Sequence, residues 1–431
     1  MSADATPPPV RIVTHGPWAR GVAAELTEAL EARGVDSRRR RLGDSPGSWR
    51  VTDDPRRAGP DPELVVVPDE VTRTTLEREQ PGLVGDIWVW DRDRLPAYLT
   101  ARYRPDSPAV RVKVGVVGYN LKFFNPIARH LHRLAGVEVK IAEWPKYAVD
   151  SPAATSAVLE WADVIVCEWA GPNAVIASHR KRPGQRLVVR LHRFELERDD
   201  WREMAIDAVD TVVTVGDPYR RRTIEVTGWP EEKVKVISNL VDTAQFDRPK
   251  LPGAGTTLGL LGATPWRKRP DRALDVLDIV RTHDPAWRLE IKGSRPEDDR
   301  WIWEDPDHKS LFESLNERIY DLGDVVTWSP AGPDVAGWFR QVGHVLSTSE
   351  DESFHLAPAE GMASGTVPAI WPWFGADEIY DPCWITEDVD SAAAAILSRS
   401  DDDRAACRTE SARFDRGRVL PEWERLLVVA P

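Results

Sequence analysis

Short, unbroken apolar runs recur along the whole chain, and they limit the folds open to it. They are VRIVT at 10–14, LVVVP at 64–68, DIWVW at 86–90, RVKVGVVG at 111–118, VIVC at 164–167, LVVRL at 187–191, TVVTV at 211–215 and VKVI at 234–237. LGLL at 258–261, LEIK at 289–292, VVTW at 325–328, HVLS at 344–347 and VPAI at 367–370 follow. A strand with one wet face alternates apolar and polar residues, whereas a continuous run marks a strand covered on both faces, as in parallel sheets flanked by helices. The segments between the runs have helical spacing or loop composition, so the expected class is α/β with parallel sheets. Ligands of such sheets sit beyond the C-terminal ends of the strands. That singles out Gly118, Glu168, His192, Gly216 and Asn239, each at or just past a run.

At 431 residues the chain has room for two to three domains. We expect a small N-terminal α/β module over 1–107, a first Rossmann-like domain over 108–250 and a second over 251–390. The helices of 391–431 are expected to cross back to the first domain. In the N-terminal module, Val22, Leu26 and Leu30 space a helix over 19–33 that ends at Gly34, and 92–104 reads as another helix. Residues 1–9 are a polar, Pro-rich tail, Pro105-Asp106-Ser107-Pro108 is a joint, and 247–255 is a linker. Residues 412–427 read as a final helix interrupted near Pro421.

Composition excludes several classes. A net charge of −13 argues against a general nucleic-acid binder, whose footprint would be basic. No run of about 18 apolar residues exists, so no transmembrane segment is expected. The start lacks a basic region followed by an apolar core, the mark of a signal peptide. With three scattered cysteines and no CxxC, a reducing, cytoplasmic location is expected, with the membrane periphery as a further place of action. The basic run 38–41 reads as solvated surface. Asp91-Arg92-Asp93 has the look of a metal motif but lies in the N-terminal module, and no metal is assigned. No G-x-G-x-x-G follows a first strand, which weighs against a nicotinamide dehydrogenase.

The chemistry concentrates in HVLSTSEDESFHLAPAEGMASGTVPAIW, residues 344–371. A strand runs into an acidic turn holding Glu352, and a helix beginning near Pro358 carries Glu360 and stops at Gly365. Backbone donors and the helix dipole at such a site favour anions. With 70 Asp plus Glu, two glutamates eight apart arise easily by chance, so the surroundings must support them. They do: Arg267, Lys268 and Arg269 fill the loop after another strand of the same expected sheet. Fixed cations there would stabilise charge on a departing diphosphate. Two carboxylates for hydroxyls beside an anion site fit a nucleotide sugar.

The order GATPWRKRPDRAL, LEIKG, ESFHLAPAEGMASG and ARFDRGRVLPEWERL resembles a retaining glycosyltransferase of family 4, with the GT-B fold, over about 110–427. The resemblance implies two Rossmann-like domains facing a cleft and a hexosyltransferase that retains anomeric configuration, with a UDP- or GDP-linked sugar as co-substrate and neither cofactor nor metal. It gives Glu352 the donor sugar hydroxyls, Glu360 the ribose and Lys268 the diphosphate. His192 falls near the reacting sugar and Gly118 lets backbone approach the phosphates, with Arg267 as a further catalytic cation. Arg269, Ser353, Phe354, His355 and Leu356 complete the donor site. The acceptor is open, an anionic or lipid-linked molecule being among the candidates. The chain departs from the family at Ala263, where Arg is frequent, at His355, where Gly is frequent, and at Leu240. The alternatives are a non-catalytic sugar- or nucleotide-binding subunit and a nucleotide-sugar epimerase, which needs no acceptor.

Overall fold

The computed structural model describes residues 10–32, 37–39, 49–52, 64–68, 86–90, 95, 112–134, 136–332 and 334–428. The tail 1–9, Arg40 and Arg41 of the run 38–41, Asp91-Arg92-Asp93, the expected helix 92–104 save Leu95, and the joint 105–108 lie outside these residues. Among the described residues, sixteen strands form three parallel sheets.

The first sheet has β1 (Val10–His15), β2 (Ser37–Arg39), β3 (Trp49–Thr52), β4 (Leu64–Val67) and β5 (Asp86–Val89) in the order β2-β1-β3-β4-β5. The helix Gly16–Glu31 packs Ala19, Leu26 and Leu30 against Val51, Val66 and Leu95. The second has β6 (Val112–Tyr119), β7 (Val137–Trp144), β8 (Val164–Glu168), β9 (Arg186–Arg190), β10 (Thr211–Thr214) and β11 (Val234–Val236), in the order β11-β10-β9-β8-β6-β7. The third has β12 (Thr257–Leu261), β13 (Arg288–Lys292), β14 (Val326–Ser329), β15 (His344–Ser347) and β16 (Val367–Ile370), in the order β14-β13-β12-β15-β16. In each sheet the chain winds outward on one side of the first strand and then returns to build the other side. The reversal leaves a crevice at the C-terminal ends of β6 and β8, and of β12 and β15, where ligands of such folds bind.

By its internal contacts the chain divides into two compact units. One comprises 1–168, 180–187 and 424–431, the other 169–179 and 188–423. Within the first unit, Arg186 donates to the carbonyls of Leu426 and Leu427 at 3.1 and 2.7 Å, and His130 meets Glu424 at 3.2 Å.

In the second unit, alternation along the strands feeds two cores. Leu258, Leu260, Leu346 and Ala369 enter one, while Val345 and Ile370 enter the other with Phe339, Phe354 and Tyr380. Burying each Leu, Val, Ile or Phe of these cores stabilises by about 1.5–3 kcal/mol. The helix Leu356–Ala363 lies so close to β15 that a Cβ on Gly361 would stand 2.8 Å from Val345 Cγ1. Its small residues are what allow that approach.

The structure alters several expectations. β2 and β3 are additional strands, and so is β7, an edge strand whose VEVKIAEW carries charged residues on both faces, exposed at Lys140 and Glu143, and therefore no continuous apolar run. The helix carrying Glu360 begins at Leu356, so Pro358 occupies its first turn rather than its start. The helix Arg416–Leu427 runs through Pro421 without interruption, the proline falling in its sixth position.

Gly259 lies in β12, the central strand of the third sheet, and a Cβ there would meet Val342 Cγ1 at 2.5 Å and Trp338 Cη2 at 2.9 Å. Gly259→Ala should therefore lower stability by about 1–3 kcal/mol, read as a urea midpoint shift followed by tryptophan fluorescence. An unchanged midpoint would show that this layer is loosely packed.

Candidate functional site

The crevice between β12 and β15 is closed by two loops, 262–269 and 348–355, that are stitched along their backbones. The Glu350 amide donates to Arg267 O at 2.9 Å, Thr348 Oγ1 to Lys268 O at 2.6 Å, and Arg272 Nη1 to Thr348 O at 2.9 Å. Arg269 adopts the left-handed conformation (φ 49) before the helix Pro270–His283. It is held there by three bonds to Asp271, at 2.9, 3.2 and 2.6 Å, and one to Glu350 at 2.8 Å.

This stitching places Lys268 Nζ 2.5 Å and Arg267 Nη1 3.1 Å from the same oxygen of Glu352, Oε1. Arg267 also donates to Asp351 O at 2.6 Å. Glu352 is buried, with 8% of its surface exposed. Burial alone would raise its carboxyl, but the charges of Lys268 and Arg267 outweigh that and hold it well below the ordinary carboxylate range. Burial lowers the Lys268 ammonium, with Glu352 opposing and Arg267 adding to the depression. One carboxylate thus faces two cations. The cluster is complementary to an added anion and poised to stabilise negative charge that develops beside it.

The turn after Glu352 is equally constrained. His355 is left-handed (φ 50) at the N-cap of Leu356–Ala363. Its Nδ1 lies 2.6 Å from Ser347 Oγ, which also accepts from Trp373 Nε1 at 3.2 Å. Burial and neighbouring Lys268 push the imidazole down to about 3, so it is neutral at physiological pH. Tyr380 Oη fixes the turn by donating to the carbonyls of Phe354 and His355 at 3.1 and 2.8 Å. The Phe354 side chain belongs to the core, 5.0 Å from the ring of Phe414. Ser353, Leu356 and Glu360 are half-buried, Glu360 at the fifth position of the helix.

His192 follows β9 and is buried against the indole of Trp169, with ring centroids 4.0 Å apart. Its neighbour Arg193 reaches the acidic turn through Asp351 Oδ2 at 3.1 Å. Asp351 Oδ1 accepts from Tyr219 Oη at 2.9 Å, with Arg222 at 3.7 Å. Asp351 is the residue that sequence reasoning missed. Its only signal was adjacency to Glu352 in an acidic turn. In the first unit, Gly118 stands at the C-terminal part of β6 beside the reversal point of the second sheet. A Cβ there would lie 2.5 Å from Glu168 O, so only glycine admits this approach of β6 and β8.

Parallel-sheet α/β domains of this kind define the GT-B fold, shared with solved glycosyltransferase structures. HepE from Anabaena, in complex with UDP and glucose, superposes with a TM-score of 0.56 at 15% identity, over 74% of this chain and 100% of that one. Sucrose-phosphate synthase from Thermosynechococcus elongatus gives 0.55 at 16%, over 73% and 98%. At such identities the likeness is one of fold. No family model matches the chain.

By sequence the chain is similar to the GDP-mannose:cellobiosyl-diphosphopolyprenol alpha-mannosyltransferase of Xanthomonas campestris. The match is 25% identical over 138 residues, 32% of this chain and 34% of that protein. It is also similar to an exopolysaccharide phosphotransferase of Streptomyces coelicolor, at 25% over 235 residues, 51% of this chain and 23% of that protein. The chain thus spans about a third or less of the length of these curated relatives.

The depressed Glu352 carboxyl has a definite pH signature. The unfolded chain binds this proton at the ordinary value of 4.5, the folded chain only at lower pH, so the stabilisation is complete above 4.5 and is lost as pH falls below it. Glu352→Gln should cost about 1–3 kcal/mol at neutral pH, and the gap from wild type should narrow in acid. Urea midpoints across pH 3–7 would check this. A gap independent of pH would mean that the carboxylate is not the stabilising charge.

Proposed function

We propose that the chain is a retaining glycosyltransferase of hexosyltransferase type, moving a sugar from a UDP- or GDP-linked donor to an acceptor. The observation that carries this reading is the cluster of Arg267, Lys268 and Glu352 at the strand-order reversal of a GT-B sheet, next to the N-terminus of the helix bearing Glu360. The likeness in fold to a protein solved with UDP and glucose supports it, as does the sequence similarity to a mannosyltransferase.

On this reading the donor diphosphate lies against Lys268, Arg267 and the backbone of Ser353, Phe354, His355 and Leu356 ahead of the helix. Arg269 holds the loop in shape through Asp271 and Glu350. Glu352 turns from Lys268 toward the donor sugar hydroxyls, and Glu360 takes the ribose. His192 stands by the reacting sugar. The acceptor hydroxyl attacks the anomeric carbon from the face that the diphosphate leaves, which retains configuration, and its proton passes to the departing phosphate oxygen. The fixed cations supply the charge stabilisation, so the step needs no metal.

The Xanthomonas relative acts on a diphosphopolyprenol-linked sugar, which supports a lipid-linked acceptor met at the membrane periphery by a cytoplasmic protein. Among the described residues, no helix is long and apolar enough to cross a membrane. Nothing in the site favours the non-catalytic or epimerase alternatives.

A thermal-shift panel of UDP-, GDP-, ADP- and TDP-sugars tests the reading, because a ligand that binds the folded state raises its apparent stability. One nucleotide class should stabilise wild type. Glu360→Ala should weaken nucleotide binding about tenfold, equal to about 1.4 kcal/mol. Lys268→Ala should lower turnover about a hundredfold to a thousandfold with a smaller effect on binding. Wild-type behaviour in both variants would sink the assignment.

A further inference from the structure

We propose that Trp169 is a positioning residue that holds the His192 imidazole in its working orientation; the proposal rests on the transferase reading and deepens it. Three observations converge on this residue. Its backbone is left-handed (φ 74), a conformation rare for a bulky side chain and generally tolerated only where the surroundings enforce it. Its indole is 93% buried and stacks on His192 at 4.0 Å and 32°, with Phe194 at 5.5 Å and 45°. The loops bearing the two rings are tied by a carboxylate: fully buried Glu195 accepts from the Ala170 amide at 3.0 Å and from the His192 amide at 3.3 Å through one oxygen.

Glycine would adopt the Trp169 backbone without strain, so the fold of the loop does not call for a large side chain there. What the strained backbone maintains is the ring. An indole face lying over an imidazole restricts rotation of the latter and shields one side of it from water. Glu195 fixes the backbone from which the imidazole springs, and Trp169 fixes the ring. Together they specify where the nitrogens of His192 point, as a group beside a reacting sugar requires.

Trp169→Gly and Trp169→Ala separate positioning from stability. Glycine relieves the left-handed backbone and alanine does not, so Trp169→Gly should unfold at a higher temperature than Trp169→Ala. Both should nevertheless lose kcat alike, by about tenfold to a hundredfold, with KM for the donor little changed, and Trp169→Phe should recover most of the loss. Turnover that follows the stability order, or wild-type kcat in Trp169→Gly, would overturn the proposal. The stacking is also read without turnover, from the His192 ring-proton NMR shifts, which should move toward solvent-exposed values in Trp169→Gly. Unchanged shifts would contradict the positioning role, whereas a wild-type chain that turns over no nucleotide sugar would contradict the transferase reading instead.

Discussion

The sharing of one Glu352 oxygen by Lys268 and Arg267 holds together the part of the molecule on which the other site features depend. The two loops it joins follow β12 and β15, strands far apart in sequence that become neighbours only because the strand order reverses between them. Taking these charges out of water is costly, and the cost is offset only by close pairing and by the backbone bonds around them. The arrangement leaves positive charge in excess of the single carboxylate. An anionic group is therefore better matched to these two loops than a neutral one.

The same turn carries a second set of contacts. Asp351 accepts from Arg193, directly after His192, and from Tyr219, in the helix Asp217–Thr227. Two adjacent residues thus face different ways: Glu352 toward the cations after β12, Asp351 toward residues that follow β9 and β10. His355, by contrast, looks inward. Its ring bonds Ser347 of β15, and its neutral state keeps a further positive charge out of a region already rich in them.

Much of the fold was legible because parallel strands covered on both faces must be apolar throughout, and β15 and β16 match the runs 344–347 and 367–370 residue for residue. β7 was not legible, since the charged residues of this edge strand break the run that would have marked it. The cation–carboxylate cluster was legible as two loops on one sheet, but its strand-order reversal is a property of topology that spacing does not encode. Asp351 was hidden because acidic residues are ordinary in such turns and its partners lie 132 and 158 positions away. The burial of Phe354 was equally invisible, because the motif places its backbone in the turn while its side chain serves the core.

A nucleotide sugar seated between β12 and β15 would shield the two loops that follow those strands. Hydrogen–deuterium exchange, with and without the nucleotide sugar that stabilises the chain, locates the site directly. Protection should gather in 262–272 and 348–361, with little change elsewhere in the third sheet. Binding that leaves those two loops unprotected while shielding another part of the chain would contradict it.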